Sequence, residues 1–300
     1  MKHFLADHHC SQKTLLDLIE LGIKIKQSPE QFNHALSGKS VVMLFEKPSL
    51  RTHISFDVGI QKLGGHSLYL GQQNGHLGER ERIKDLAQNL ACWCDAIVAR
   101  VYKQSVLDEM AEHGSIPVIN ALSDLYHPCQ ALADYMTLTE QFGSLSGLNF
   151  AYVGDANNVS NSLMFMGAIL GVNVSVICPE GHQPDTRSIV QAKQLAEQHQ
   201  CRLTISSNID EIGEQDVIYT DTWVSMGDSK SDQTLAKFLP FQVNENLMAK
   251  TKAAKVMHCQ PAHMEQEISQ AVFDSPQSLA MIQAENRMWA QNAVLLTLLK

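Results

Sequence analysis

Residues 41–52 read Val41-Val42-Met43-Leu44-Phe45-Glu46-Lys47-Pro48-Ser49-Leu50-Arg51-Thr52. Five consecutive apolar residues suit a strand buried on both faces, as in a parallel sheet. Pro48 presets the turn, and a helix is predicted from Ser49, whose hydroxyl can cap its first turn. Helix starts ordinarily favour acidic residues, because their free N–H groups carry partial positive charge. Here Arg51 and two hydroxyls stand in that turn, a set of groups suited to an anion. On spacing alone, a simple Ser49 cap beside a solvated Arg51 reads equally well.

The same strand-then-helix alternation recurs on both sides of this stretch. Strands are predicted at 41–45, 67–70, 96–99, 116–119, 150–153, 172–177, 203–205 and 217–219. Helical patterns fall at about 11–26, 50–63, 81–93, 105–113, 129–142, 159–170, 187–200 and 284–300. Short apolar runs alternating with longer amphipathic ones imply an α/β fold of parallel sheets with helices on both faces. Phe142-Gly143-Ser144-Leu145-Ser146-Gly147 interrupts the pattern and suits a domain boundary. In such folds ligands bind at the carboxyl ends of strands, so the strand-to-helix junctions are where chemistry is sought.

Composition bounds the function classes. Of 300 residues, 44% are hydrophobic and 18% charged, with 32 acidic against 23 Lys and Arg for a net charge of −9. That is globular and not disordered, and it lacks the basic field of a nucleic-acid binder. No apolar run approaches about 18 residues, so no membrane span is expected, and the first residues do not read as a secretory leader. Seven cysteines without a CxxC spacing read as reduced thiols in a cytoplasmic protein. Asp7-His8-His9-Cys10 is the most metal-like cluster, read here as solvent-facing histidines; no metal and no cofactor are expected.

Further junctions are loaded with polar groups. Tyr126-His127-Pro128-Cys129-Gln130 offers Pro128 as a first helical residue, with His127 and Gln130 spaced to converge on one ligand. Arg100 ends a strand and is a surface salt-bridge candidate on its own. Gly154-Asp155-Ala156-Asn157-Asn158 follows another strand. Asp221-Thr222-Trp223-Val224-Ser225-Met226-Gly227, His258-Cys259-Gln260-Pro261-Ala262-His263 and Ala284-Glu285-Asn286-Arg287-Met288 complete the set. Together these strings, in this order along the whole chain, resemble the aspartate/ornithine carbamoyltransferase family, and the DxWxSMG and HCxP strings resemble its ornithine branch.

The resemblance implies two doubly wound parallel-sheet domains. Residues 1–143 would bind carbamoyl phosphate, residues 144–283 would bind ornithine, and a C-terminal helix at 284–300 would pack back on the first domain. It implies transfer of a carbamoyl group to the δ-amine of ornithine, giving citrulline and phosphate. Ser49, Leu50, Arg51, Thr52 and Arg100 match the phosphate contacts, and His127 and Gln130 match the contacts to the carbamoyl group. Cys259, Gln260 and Arg287 match further contacts at that end. Asn158, Asp221, Ser225 and Met226 match the ornithine site. Arg51, Arg100, His127, Asp221 and Cys259 would carry the chemistry. A homotrimer with shared sites is also implied, with His76 reaching a neighbour's carbamoyl phosphate.

Four positions depart from the common pattern: Leu50 for threonine, His53 for arginine, Gln260 for leucine and Met264 for a basic residue. None is a loss of a group assigned to chemistry. A buried Gln260 amide would need partners, and His53 weakens the local positive field unless protonated. Rival readings are carbamoyl transfer to N-acylornithine, putrescine or aspartate, and a non-catalytic binding paralogue. A nucleotide-dependent oxidoreductase is disfavoured, because no GxGxxG follows a strand.

Overall fold

A computed structural model of the chain describes residues 1–71, 77–224 and 231–300. Two compact units divide it, Met1–Met136 with Glu285–Lys300, and Thr137–Ala284. Strands of the first unit are β1 (Ser40–Phe45), β2 (His66–Leu70), β3 (Ala96–Arg100) and β4 (Val118–Leu122). Those of the second are β5 (Asn149–Val153), β6 (Asn173–Ile177), β7 (Leu203–Ser206), β8 (Val217–Thr220) and β9 (Lys255–His258). The longer helices are α1 (Gln12–Gln27), α2 (Leu50–Lys62), α3 (Ile83–Ala91), α4 (Gln104–His113) and α5 (Pro128–Phe142). They continue with α6 (Asn158–Leu170), α7 (Thr186–Gln198), α8 (Asp232–Ala236), α9 (Glu245–Thr251), α10 (Gln270–Phe273) and α11 (Ala280–Leu299).

The first sheet is wholly parallel in the order β2-β1-β3-β4, and the second wholly parallel in the order β7-β6-β5-β8-β9. β3 and β4 are buried along their whole length, and β1 nearly so, in keeping with their mostly apolar sequences; Asn120 in β4 and Arg100 at the end of β3 are the buried polar exceptions. Strand order reverses direction between β1 and β3 in one unit and between β5 and β8 in the other. Doubly wound sheets bind ligands at such switch points, beyond the strands' carboxyl ends. Each described sheet therefore has one switch point of this kind. Residues 285–299 of α11 belong to the first unit, as expected of a helix packing back on it.

The structure departs from the sequence expectation in several details. The fourth strand begins at Val118 and not at residue 116, because Pro117 has no N–H for the ladder and serves only as an acceptor, from Ile97. β3 and β4 also slip register between Ala99 and Arg100, so that Arg100 lies opposite Leu122. Such irregularities re-aim side chains next to binding sites, and this one falls at Arg100. β9 was not expected at all. Lys255-Val256-Met257-His258 has only two apolar residues between polar ends, fewer than the equally short Val217-Ile218-Tyr219-Thr220, so no apolar run marks it.

Candidate active site

In the first unit the chain leaves β1 at Phe45, and Ser49 caps α2 by accepting from Thr52 N at 3.3 Å. No acidic residue occupies the first turn of α2. Thr52 is fully buried; its hydroxyl accepts from Ser49 Oγ (2.9 Å) and from Arg287 Nη2 (2.6 Å). Arg287 also donates through Nη1 to Gln130 Oε1 (2.8 Å), and Nη2 lies 3.1 Å from His127 Nε2. A guanidinium only donates, so His127 Nε2 accepts and the imidazole is neutral, its proton on Nδ1. Burial and the charges of Arg287 and Arg100 likewise hold His127 well below its usual range. His127 is thus a neutral donor rather than a cation.

Arg100 ends β3, is buried, and its Nε has no hydrogen-bond partner among the described residues. Burial and the neighbouring Arg287 and Arg51 guanidiniums push it down to about 10. Arg287 and Arg51 thus both lie close enough to Arg100 to act on it, and such a set beside a helix N-terminus suits a multiply charged anion. Gln130 passes its Nε2 to Asp134 Oδ1 at 2.9 Å, so its amide links Arg287 to a buried carboxylate. Leu50 is 71% exposed, and its side chain takes no part in these contacts. His53 stacks on Tyr69 with ring centroids 3.9 Å apart, so here it is an aromatic packing residue.

In the second unit Gly154 turns the chain after β5 with φ +139°, a conformation that favours glycine. Asn157 then caps α6, and Asn158 is its first residue. Across the switch point Thr220 donates to Val153 O at 2.7 Å, tying β8 to β5. Asp221 follows directly and is buried. Its Oδ1 accepts from Thr222 N (2.8 Å) and Cys259 Sγ (3.1 Å), and its Oδ2 from Asn157 Nδ2 (2.8 Å). A carboxylate has about four acceptor positions, so three donors hold it in place and leave capacity for a ligand's ammonium.

The surrounding chain matches known proteins along its length. A model of the aspartate/ornithine carbamoyltransferase carbamoyl-P binding domain matches residues 2–140, and one of the Asp/Orn binding domain matches residues 146–298. An ornithine carbamoyltransferase of Shewanella oneidensis is 57% identical over 299 residues, covering 99% of each chain. The chain belongs to the aspartate/ornithine carbamoyltransferase family. Ornithine carbamoyltransferase from Pyrococcus furiosus superposes with a TM-score of 0.95 at 41% identity, covering 98% of this chain and 96% of that one. An acetylornithine transcarbamylase complexed with acetylcitrulline superposes at 0.90 with 28% identity, covering 100% of both.

In this carbamoyltransferase the sequence-predicted residues fall in both units, with Ser49–Thr52, Arg100, Asn158 and Asp221 at or beyond the ends of the strands that flank the two switch points. Ser49, Arg51, Thr52, Arg100, His127, Gln130 and Arg287 lie in the first unit, and Asn158, Asp221, Cys259 and Gln260 in the second. His76, Ser225 and Met226 lie outside the described residues. Gln260 is only half-buried; it sits at φ +60°, its backbone N donating to His258 Nδ1 (2.9 Å) and its amide reaching the Met281 sulfur. Sequence reasoning missed Asn157, although it stands in the quoted GDANN string, because a capping asparagine is an ordinary helix start. It also missed Glu46, whose buried carboxylate accepts from Leu77 N and Tyr102 N, both at 2.9 Å.

Among the described residues, Asp221, His258 and Cys259 are the group whose potential metal-ligand atoms lie within 4.8 Å of one another, rather than Asp7–Cys10. They do not fit an ion as arranged. His258 Nδ1 accepts from Gln260 N, so Nε2 carries the proton and donates to Glu267 Oε1 at 3.1 Å. Neither nitrogen has a free lone pair. No helix among the described residues is long and apolar enough to cross a membrane.

Proposed function

We propose that this enzyme, a transferase, moves the carbamoyl group of carbamoyl phosphate to the δ-amine of L-ornithine, giving L-citrulline and phosphate. The observation that carries the reading is the cluster of Arg51, Arg100 and Arg287 at the first switch point. Carbamoyl phosphate is already activated, so the reaction needs neither a covalent intermediate nor a metal. The neutral amine nitrogen bonds to the carbamoyl carbon, the C–O bond to phosphate breaks, and phosphate leaves with the electron pair and takes up the proton that the nitrogen sheds. Guanidiniums stabilise that departing charge, and Thr52, His127, Gln130 and Arg287 are available to the carbonyl oxygen as it becomes an oxyanion. A lysine-like δ-amine is neutral in on the order of one molecule in a thousand near neutral pH. Holding the substrate by its other groups, with Asp221 on the α-ammonium, leaves the δ-amine free to lose its proton and attack.

The acceptor follows from charge. Aspartate would need cations where Asp221 stands, putrescine lacks the carboxylate that Asn158 would serve, and N-acetylornithine lacks the α-ammonium. Residues 1–143 with 284–300 act as the carbamoyl-phosphate domain and 144–283 as the ornithine domain. Ser225 and Met226 complete the ornithine site, and Cys259 and Gln260 adjoin the carbamoyl group. The enzyme works as a cytoplasmic homotrimer in which His76 reaches a neighbour's carbamoyl phosphate. Exposed Leu50 and Ile54 on α2, with Leu68, Tyr69 and Leu70 on edge strand β2, support self-association.

The test is citrulline formation by the purified protein, with N-acetylornithine, putrescine and aspartate as competing acceptors. Ornithine should be the preferred one, and Asp221→Asn should raise the ornithine KM far more than the carbamoyl-phosphate KM. Efficient use of N-acetylornithine by the parent would overturn the acceptor assignment.

A further inference from the structure

Asn157 uses both ends of its amide. Oδ1 accepts from Val159 N (2.8 Å) and Ser160 N (3.1 Å), capping α6, while Nδ2 donates to Asp221 Oδ2 (2.8 Å). The orientation is forced, since backbone N–H groups require an acceptor and a carboxylate requires a donor. Ser160 Oγ accepts from Asn157 N at 2.8 Å and completes a capping box. Aspartate or serine would cap the helix about as well. Neither would offer an N–H to Asp221. The cap therefore does not account for asparagine at this position, and Asp221 does.

The other donors to Asp221, Thr222 N and Cys259 Sγ, both reach Oδ1. Asn157 is the donor on Oδ2 among the described residues. The terminal torsion of an aspartate is broad, so donors on one oxygen alone let the carboxylate rotate about that contact. A donor on each oxygen fixes its plane. We propose that Asn157 is a positioning residue that orients the Asp221 carboxylate toward the α-ammonium of ornithine, and so sets ornithine affinity without touching the reacting atoms. This rests on the ornithine reading above and adds a residue to that site.

Asn157→Ser and Asn157→Asp keep a capping oxygen; the melting temperature of Asn157→Ser should stay near that of the parent, while like-charge repulsion from Asp221 lowers that of Asn157→Asp. The ornithine KM should rise roughly ten-fold or more, the scale of a lost hydrogen bond to a charged group. The increase should be larger for Asn157→Asp, which sets a second carboxylate against Asp221. The carbamoyl-phosphate KM should stay within about two-fold. Ser160→Ala is the structural control: it breaks the capping box and should lower the melting temperature, yet leave the ornithine KM unchanged. An unaltered ornithine KM in both Asn157 variants, a parallel rise of both KM values, or an equal rise in Ser160→Ala would each overturn the proposal. If the parent makes no citrulline, the functional reading has failed on its own. Calorimetric titration of ornithine with inorganic phosphate present then still tests Asn157: the variants must bind more weakly than the parent, and a parent that binds no ornithine sinks both.

Discussion

Burial and two neighbouring guanidiniums push Arg100 down to about 10, so at neutral pH it stays charged but is held there against the field of Arg287 and Arg51. An anion at the cluster relieves that repulsion. Inorganic phosphate should accordingly raise the melting temperature of the parent, and Arg100→Gln should abolish the rise while cutting citrulline turnover by roughly 10²–10³-fold. An unchanged phosphate response would remove Arg100 from the site. His127 shows the opposite protonation: burial and the same cations keep it neutral, well below the ordinary 6.5. Below pH 6.5 the unfolded chain takes up a proton that the folded chain refuses. The stability contributed above that pH is therefore lost as pH falls, with a limiting slope of about 1.4 kcal/mol per pH unit. Thermal melts of His127→Gln should show a smaller drop between pH 7.5 and 5.5 than the parent does. The residue types of this site were readable from the junction strings, but the neutrality of His127 was not. It depends on a contact to Arg287, 160 positions away.

At the scale of elements, α2 and α11 pack together through Gly59. A Cβ there would fall 2.3 Å from Asn292 Oδ1 and 3.3 Å from Met288 Cγ. Alanine gains about 1 kcal/mol of helix propensity over glycine, but overpacking a buried contact costs about 1–3 kcal/mol. Asn292 is fully buried and has little room to yield, so the cost wins. Gly59→Ala should lower the melting temperature by a few degrees, and Asn292→Ala in the same chain should recover part of the loss; a stabilised single variant would contradict the packing. The helices were legible because their apolar period and their starts are local. Pro128 opens α5 and Ser49 caps α2, as their sequence positions suggest. α8, α9 and α10 were illegible, since helices of seven residues or fewer show too little of a 3.6-residue period, and β9 has only two apolar residues between polar ends.

For the whole molecule, the proposed trimer has a consequence that a self-contained site lacks. Arg51→Ala and His76→Ala should each be nearly inactive. If each site joins Arg51 of one subunit to His76 of the next, every mixed trimer contains one intact site. Equal mixing makes about three quarters of trimers hybrid, so activity should recover to about a quarter of the parent's. Dissociating, mixing and reassembling the two variants, then assaying citrulline, measures this. Verified hybrids with no recovered activity would mean that His76 serves its own chain or none. The exposed apolar residues of edge strand β2 give the same proposal a second readout, since Leu68→Glu should favour smaller species in sedimentation.

By itself the sequence determined the alternation of strands and helices and the chemical character of each strand end. It did so because period, turn residues and helix caps act over a handful of neighbours. The polar strings could thus be assigned to strand-to-helix junctions before any strand was placed beside another. Tertiary structure alone decided the strand order, and with it which junctions flank a switch point. It also decided which groups meet: Arg287 reaches Thr52 across 235 positions and Gln130 across 157, and Asn157 reaches Asp221 across 64. The slip in register at Arg100 is likewise a property of two strands, not of one. No local pattern encodes such pairings. They follow from which apolar faces are buried together, and only the folded chain brings those faces into contact.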